Sequence, residues 1–143
     1  MDTSLSERGK SVSIARRNNE IILLFSTDTE LARNVLGVAR LCDAVFLYME
    51  YLSRPILIFV ELKGKNIKDA AEQLSSTIRA VRAILNRSIK RNFPEHGDLR
   101  AIVVRAGSAP QNQQEIAERF FKETGVRLHL VRERADLRDF LIQ

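Results

Sequence analysis

Residues 56–63 read Ile-Leu-Ile-Phe-Val-Glu-Leu-Lys: an apolar run that ends in two charges set two residues apart. The run is nearly continuous over 56–62, which predicts a strand buried on both faces. Residues two apart on a strand point to the same side, so Glu61 and Lys63 would leave a buried sheet side by side. Charged groups rarely go there unless they are paired or hold a metal. The plainer reading is an ordinary charged pair where a strand leaves the core.

Upstream, residues 43–48 (Asp-Ala-Val-Phe-Leu-Tyr) are strand-like, and residues 50–55 read as a turn. The two strands then make a hairpin, and antiparallel pairing puts Asp43 opposite the Glu61 end. Two carboxylates and a lysine converge at one mouth of the sheet. Phosphodiester hydrolysis uses such a set. Hard carboxylate oxygens hold Mg²⁺, which keeps several waters and takes phosphate oxygens as further ligands. The metal polarises the phosphoryl group and acidifies a bound water. A lysine orients or deprotonates the attacking water, or stabilises developing charge. The peptide carbonyl of Leu62, between the two charged residues, is a candidate third hard ligand. Asp43 also has a bland reading as a strand-start residue.

The rest of the chain frames this hairpin. Residues 11–16 and 20–26 read as strands, with Arg17-Asn18-Asn19 as a tight turn. Thr27 with Glu30 three residues on forms a capping-box pattern, and the helix it opens should stop near Gly37 or a turn later. Asn66 is placed to cap a long amphipathic helix that reaches about Ser88, with Asp69 in its first turn. A strand is expected over 99–105, a helix over 111–124 stopped by Gly125, a strand over 126–131 and a short helix over 136–142. The polar stretch 1–10 is expected to be disordered. The order predicts a single domain over 1–143 of class α/β, on the α+β border, with a mixed sheet flanked by helices.

At Cys42-Asp43-Ala44-Val45 and Phe59-Val60-Glu61-Leu62-Lys63-Gly64, followed by a long helix, the sequence resembles the PD-(D/E)xK, or restriction-endonuclease-like, nuclease superfamily. The resemblance implies a restriction-endonuclease-like core in which Asp43 and Glu61 bind Mg²⁺ (Mn²⁺ as a substitute) and Lys63 assists the attacking water. RecB-like branches carry a Gln on the next helix, for which Gln73 is the matching position. Their Tyr four residues on is replaced here by Thr77, and the Pro common before the Asp is replaced by Cys42. Other branches use an acid on a preceding helix, for which Glu30 is the candidate. Read without the family, Gln73 is a solvated or structural helix residue and Glu30 the capping partner of Thr27.

Composition fits this expectation. The chain has 143 residues, enough for one domain, and 45% are hydrophobic, enough for a core. The formal net charge of +5 suits a polyanionic partner. In the long helix and its flanks, Lys63, Lys65, Lys68, Arg79, Arg82, Arg87, Lys90 and Arg91 outnumber Asp69 and Glu72. Lys65, Lys68, Arg79 and Arg82 are the expected nucleic-acid contacts, neutralising phosphates without reading sequence; an ordinary solvated helix face is the alternative. One cysteine makes no internal disulfide, and with two distant histidines no structural zinc site. A polar start and the lack of a long apolar run predict a cytoplasmic protein with no membrane contact. No Ser/His/Asp arrangement, phosphate loop or dinucleotide fingerprint is visible. The expected function is therefore a metal-dependent nuclease, with DNA ahead of RNA as substrate. Such a small core would gain specificity by forming a homodimer or by working beside a targeting protein. The alternative is a catalytically inactive nuclease-like module that binds nucleic acid or protein, and a third reading is an interaction protein whose helix arginines meet an acidic partner.

Overall fold

The computed structural model describes residues 2–51, 53–63, 66–88, 94–95, 98–108 and 110–142. In chain order the elements are β1 (Asp2–Glu7), β2 (Lys10–Ala15), β3 (Glu20–Ser26), α1 (Glu30–Leu36), β4 (Ala44–Glu50), β5 (Ile56–Lys63), α2 (Ile67–Ser88), β6 (Leu99–Arg105), α3 (Gln113–Thr124), β7 (Leu128–Arg132), β8 (Arg134–Asp136) and a 3₁₀ turn (Leu137–Phe140). Five strands form one sheet in the order β3-β4-β5-β6-β7, antiparallel as far as β5 and parallel beyond it. A smaller sheet has the order β1-β2-β8. The α/β class and the mixed sheet are as expected.

The layering differs from the expectation in one respect. Helices cover one face of the five-stranded sheet, and the small sheet covers the other. On the helical side Val45, Leu57, Phe59, Ala101 and Val103 pack against Leu74 and Ile78 of α2 and Phe120 of α3. On the other side Phe46, Ile58, Val60 and Ile102 pack against Val12 and Ile14 of β2 and against Ala135 and Leu137. This explains why β5 is apolar at odd and even positions alike: neither face meets water. Both parallel connections, through α2 and α3, step across the sheet in the same direction. Right-handed crossovers then put both helices on the same side.

Two local expectations are corrected. First, residues 2–10, within the stretch expected to be disordered, form a hairpin arm: Asp2–Glu7 is a strand, paired antiparallel to β2 with Glu7 opposite Lys10. Arg8 and Gly9 both take positive φ (49° and 80°), as a two-residue hairpin turn requires. The sequence hides this strand because Leu5 is its only large apolar residue. The turn at 17–19 forms as expected, with Glu20 N–H donating to the Arg17 carbonyl (3.3 Å) and Asn19 in the left-handed region, and it joins the two sheets. Second, 136–142 is not an α-helix. The chain leaves β7 through Glu133 (φ 64°), pairs as β8 with β2 and ends in the 3₁₀ turn, capped by Asp136.

The helix before β4 is capped by Thr29 and not Thr27: Thr29 Oγ1 accepts from Ala32 N–H at 3.1 Å. Gly37 ends it in the left-handed conformation, as expected. Asn66 Oδ1 accepts from Asp69 N–H (3.1 Å) at the start of α2, also as expected. No helix among the described residues is long and apolar enough to cross a membrane.

Candidate active site

Ala44 pairs with Val60 at the end of the β4–β5 ladder, so Asp43 stands opposite Glu61 one rung further on. Directly opposed residues put their side chains on the same face. That face is the helical one, shared with Val45 and Phe59. The antiparallel hairpin drawn from the sequence is the observed one, and its paired ladder ends at Ala44 and Val60, one rung before Asp43 and Glu61.

Asp43 sits where the ladder stops, and its carboxylate continues the ladder. Oδ2 accepts the Leu62 amide at 2.7 Å, in the place a strand carbonyl would take. The N–H and C=O of one strand residue point the same way, so the Leu62 carbonyl also leaves β5 on the Asp43 side. Glu61 is 2% exposed, which is rare for a carboxylate. Its Oε2 accepts from the Gln73 amide nitrogen, and the Gln73 oxygen accepts from Arg40 Nη2 at 3.2 Å. This amide orientation is the one that satisfies both neighbours. Gln73 thus joins the buried carboxylate to an exposed arginine on the segment before β4.

The backbone just before Asp43 is held from two sides. Thr77, one turn after Gln73 on α2, accepts the Cys42 N–H at 2.8 Å and donates to the Gln73 carbonyl at 2.7 Å. Thr27 donates from Oγ1 to the Cys42 carbonyl at 2.5 Å, while its own N–H reaches the Asp43 carbonyl at 3.1 Å. Thr77 and Cys42 are fully buried, and Thr27 nearly so. Burial pushes the Cys42 thiol up to about 12, with smaller contributions from the charges of Glu61 and Asp43. Cys42 is therefore a neutral thiol at physiological pH, and its Sγ lies 3.4 Å from the Ala44 carbonyl.

Lys63 continues β5 in register with Arg105, but its side chain lies outside the described residues, as do Gly64, Lys65, Lys90, Arg91 and His96. Among the described residues no group of three or more His, Cys, Asp and Glu could hold a metal, so Glu30 does not join Asp43 and Glu61 in such a set.

The expected basic face of α2 is partly committed elsewhere. Arg82 is half-buried and donates from Nη1 to the Thr124 carbonyl at 2.6 Å, satisfying the C-terminal end of α3. Arg79 lies 3.6 Å from Glu123 of the same helix. These two arginines join α2 to α3. Lys68 is exposed on the first turn of α2. His129, a histidine with no visible partner in the sequence, lies tilted against Phe140 with ring centroids 4.9 Å apart; burial, with Arg127 and Arg100 nearby, lowers its pKa.

Sequence reasoning missed Arg40 and the threonine clamp. Thr77 carried one usable signal, since four residues after Gln73 it shares a helix face with it. Thr27 was read as a helix cap and is in fact a buried clamp. No protein-family model matches the sequence, and no curated protein matches it.

Proposed function

We propose that the chain is a divalent-metal-dependent nuclease acting on nucleic acid, DNA ahead of RNA. The observation that carries the reading is the opposition of Asp43 and Glu61 on one face of the sheet, with Asp43 fixed by the Leu62 amide. The donor set suits a hard cation: two carboxylates and the Leu62 carbonyl leave room for water and phosphate oxygens, as Mg²⁺ or Mn²⁺ prefers. A bound cation would supply Lewis-acid polarisation of the phosphoryl group and an acidified water.

The chain's own residues have separate tasks in this reading. Asp43 and Glu61 hold the cation. Gln73 fixes the Glu61 carboxylate, and the threonine clamp fixes the Asp43 backbone, so neither has to be ordered on binding. Lys63, two residues after Glu61, orients the attacking water and takes its proton. Arg40 adds an exposed cation beside the acids for a phosphate oxygen, and Lys65 and Lys68 extend the positive surface. Arg79 and Arg82 contribute through the position of α3.

A second reading, an inactive module that binds nucleic acid or a protein partner, is favoured by one observation: Glu61 already accepts a hydrogen bond from Gln73 and is almost wholly buried. Calorimetric titration with Mn²⁺ separates the two. The nuclease reading expects saturable binding that Glu61→Gln and Asp43→Asn each remove, whereas the module needs no metal.

A further inference from the structure

The large apolar side chains that remain exposed are concentrated at one edge of the five-stranded sheet. Ile21, Leu23 and Phe25 of β3 are 53%, 45% and 49% exposed. They stand opposite Met49, Leu47 and Val45, so they lie on the helical face, beyond the reach of α2. α1 contacts α2 and so lies on that side too, where it buries none of its residues and leaves Leu31 and Val35 73% and 66% exposed.

β3 is also an edge strand, paired only with β4 among the described residues. Every second residue therefore turns its N–H and C=O away from the sheet. Proteins ordinarily blunt such an edge with Pro, Lys, a bulge or an inward charge. The sequence Glu-Ile-Ile-Leu-Leu-Phe-Ser has none of these at its centre. Its one charge, Glu20, is buried against Arg138 and Tyr48.

We infer that β3 is the self-association edge of this protein, pairing antiparallel with β3 of a second copy to make a continuous ten-stranded sheet. The strand is self-complementary about Leu23. With Leu23 on the two-fold axis, Ile21 faces the second copy's Phe25, Ile22 faces Leu24 and Glu20 faces Ser26. Every opposed pair at the centre is apolar, and no like charges meet. Such an interface is isologous and closes at two copies, which distinguishes it from open-ended edge aggregation. The two-fold axis is perpendicular to the sheet, so both α1 helices fall on the same face of the joined sheet. The two candidate active sites lie on the side of β4 away from this edge, so the pairing leaves them open.

The test is sedimentation velocity of the full chain across micromolar concentrations, with Leu23→Lys and Phe25→Lys beside wild type. Both positions are half exposed, so these variants keep the fold, checked by circular dichroism. A wild-type dimer whose dissociation constant rises at least about tenfold in both variants is expected. A second measurement fixes the register. Leu23→Cys should form an intermolecular disulfide on mild oxidation, because residues opposed across an antiparallel pair lie within bridging distance. Ile21→Cys should not, since it faces Phe25. A wild type monomeric throughout, a dimer indifferent to both lysines, species larger than a dimer, or cross-linking at position 21 instead of 23 would each overturn the proposal.

Discussion

The Asp43 carboxylate accepts the main-chain amide of Leu62 at 2.7 Å, one residue past the last paired rung of the β4–β5 hairpin. A side chain thus closes the ladder where the backbone stops pairing, and the same residue stands opposite the buried Glu61. Structure and candidate chemistry depend on the same group, so its variants separate them. Asp43→Asn keeps an acceptor for the Leu62 amide and should cost little stability while lowering metal binding. Asp43→Ala leaves that amide without its partner and should destabilise by about 1–3 kcal/mol, read from urea denaturation.

The threonine clamp makes a second prediction. Thr77→Val keeps the shape of the side chain and removes the acceptor for the Cys42 N–H, which is buried. The expected loss is about 1–3 kcal/mol, and Thr77→Ser should recover most of it. In the nuclease reading the same variant weakens metal binding, because the backbone ahead of Asp43 loses one of its two tethers. An unchanged denaturation midpoint for Thr77→Val would show that the clamp carries no stability.

Acid stability should depend on Glu20. Arg138 beside it, helped by the Tyr48 hydroxyl and the Arg17 amide, holds its carboxyl down to about 2 against an ordinary 4.5. The folded pKa lies below the unfolded one, so the unfolded chain takes up the proton first. The contribution is complete above about 4.5 and is lost as pH falls towards 2. Its partner Tyr48 is raised to about 12 by burial and by Glu20, so its contribution is intact below 10 and lost as pH rises from there towards 12. Thermal melts of wild type and Glu20→Gln across acid pH should converge as the pH approaches 2. A pH-independent difference between them would contradict this assignment.

The middle of β5 is fully buried, with Ile58, Phe59 and Val60 all closed to solvent. Phe59 is fully buried between β4, β6 and α2, and Phe59→Ala should cost about 3–5 kcal/mol. Equilibrium denaturation of the full chain measures it.

Local periodicity carried most of the fold. The unbroken apolar run of β5, the 3.6-residue stripe of α2 and the glycine stops at Gly37 and Gly125 were legible because each is a property of adjacent residues. β1 was not, since Leu5 is its one large apolar residue and backbone pairing to β2 does the rest. The tail after β7 was misread as a helix because its periodicity is too short to separate a 3₁₀ turn from an α-helix. At the candidate site the Asp43–Glu61 opposition was legible, because hairpin register follows from the turn and the apolar pattern. The Glu20–Arg138 pair, the Arg82–Thr124 contact and the Thr27–Cys42–Thr77 clamp join residues far apart in sequence, and no local pattern marks them. Charge counting likewise could not tell an arginine that caps a neighbouring helix from one that faces solvent.

The most direct test of the central claim is a cleavage assay. Purified protein is incubated with supercoiled plasmid, linear duplex, single-stranded DNA and RNA in Mg²⁺, Mn²⁺ or EDTA, beside Glu61→Ala and Lys63→Ala. The account predicts cleavage, with DNA preferred, that needs the metal and disappears in both variants. Cleavage that survives both substitutions, or a wild type that binds nucleic acid and cuts none of the substrates, would contradict it.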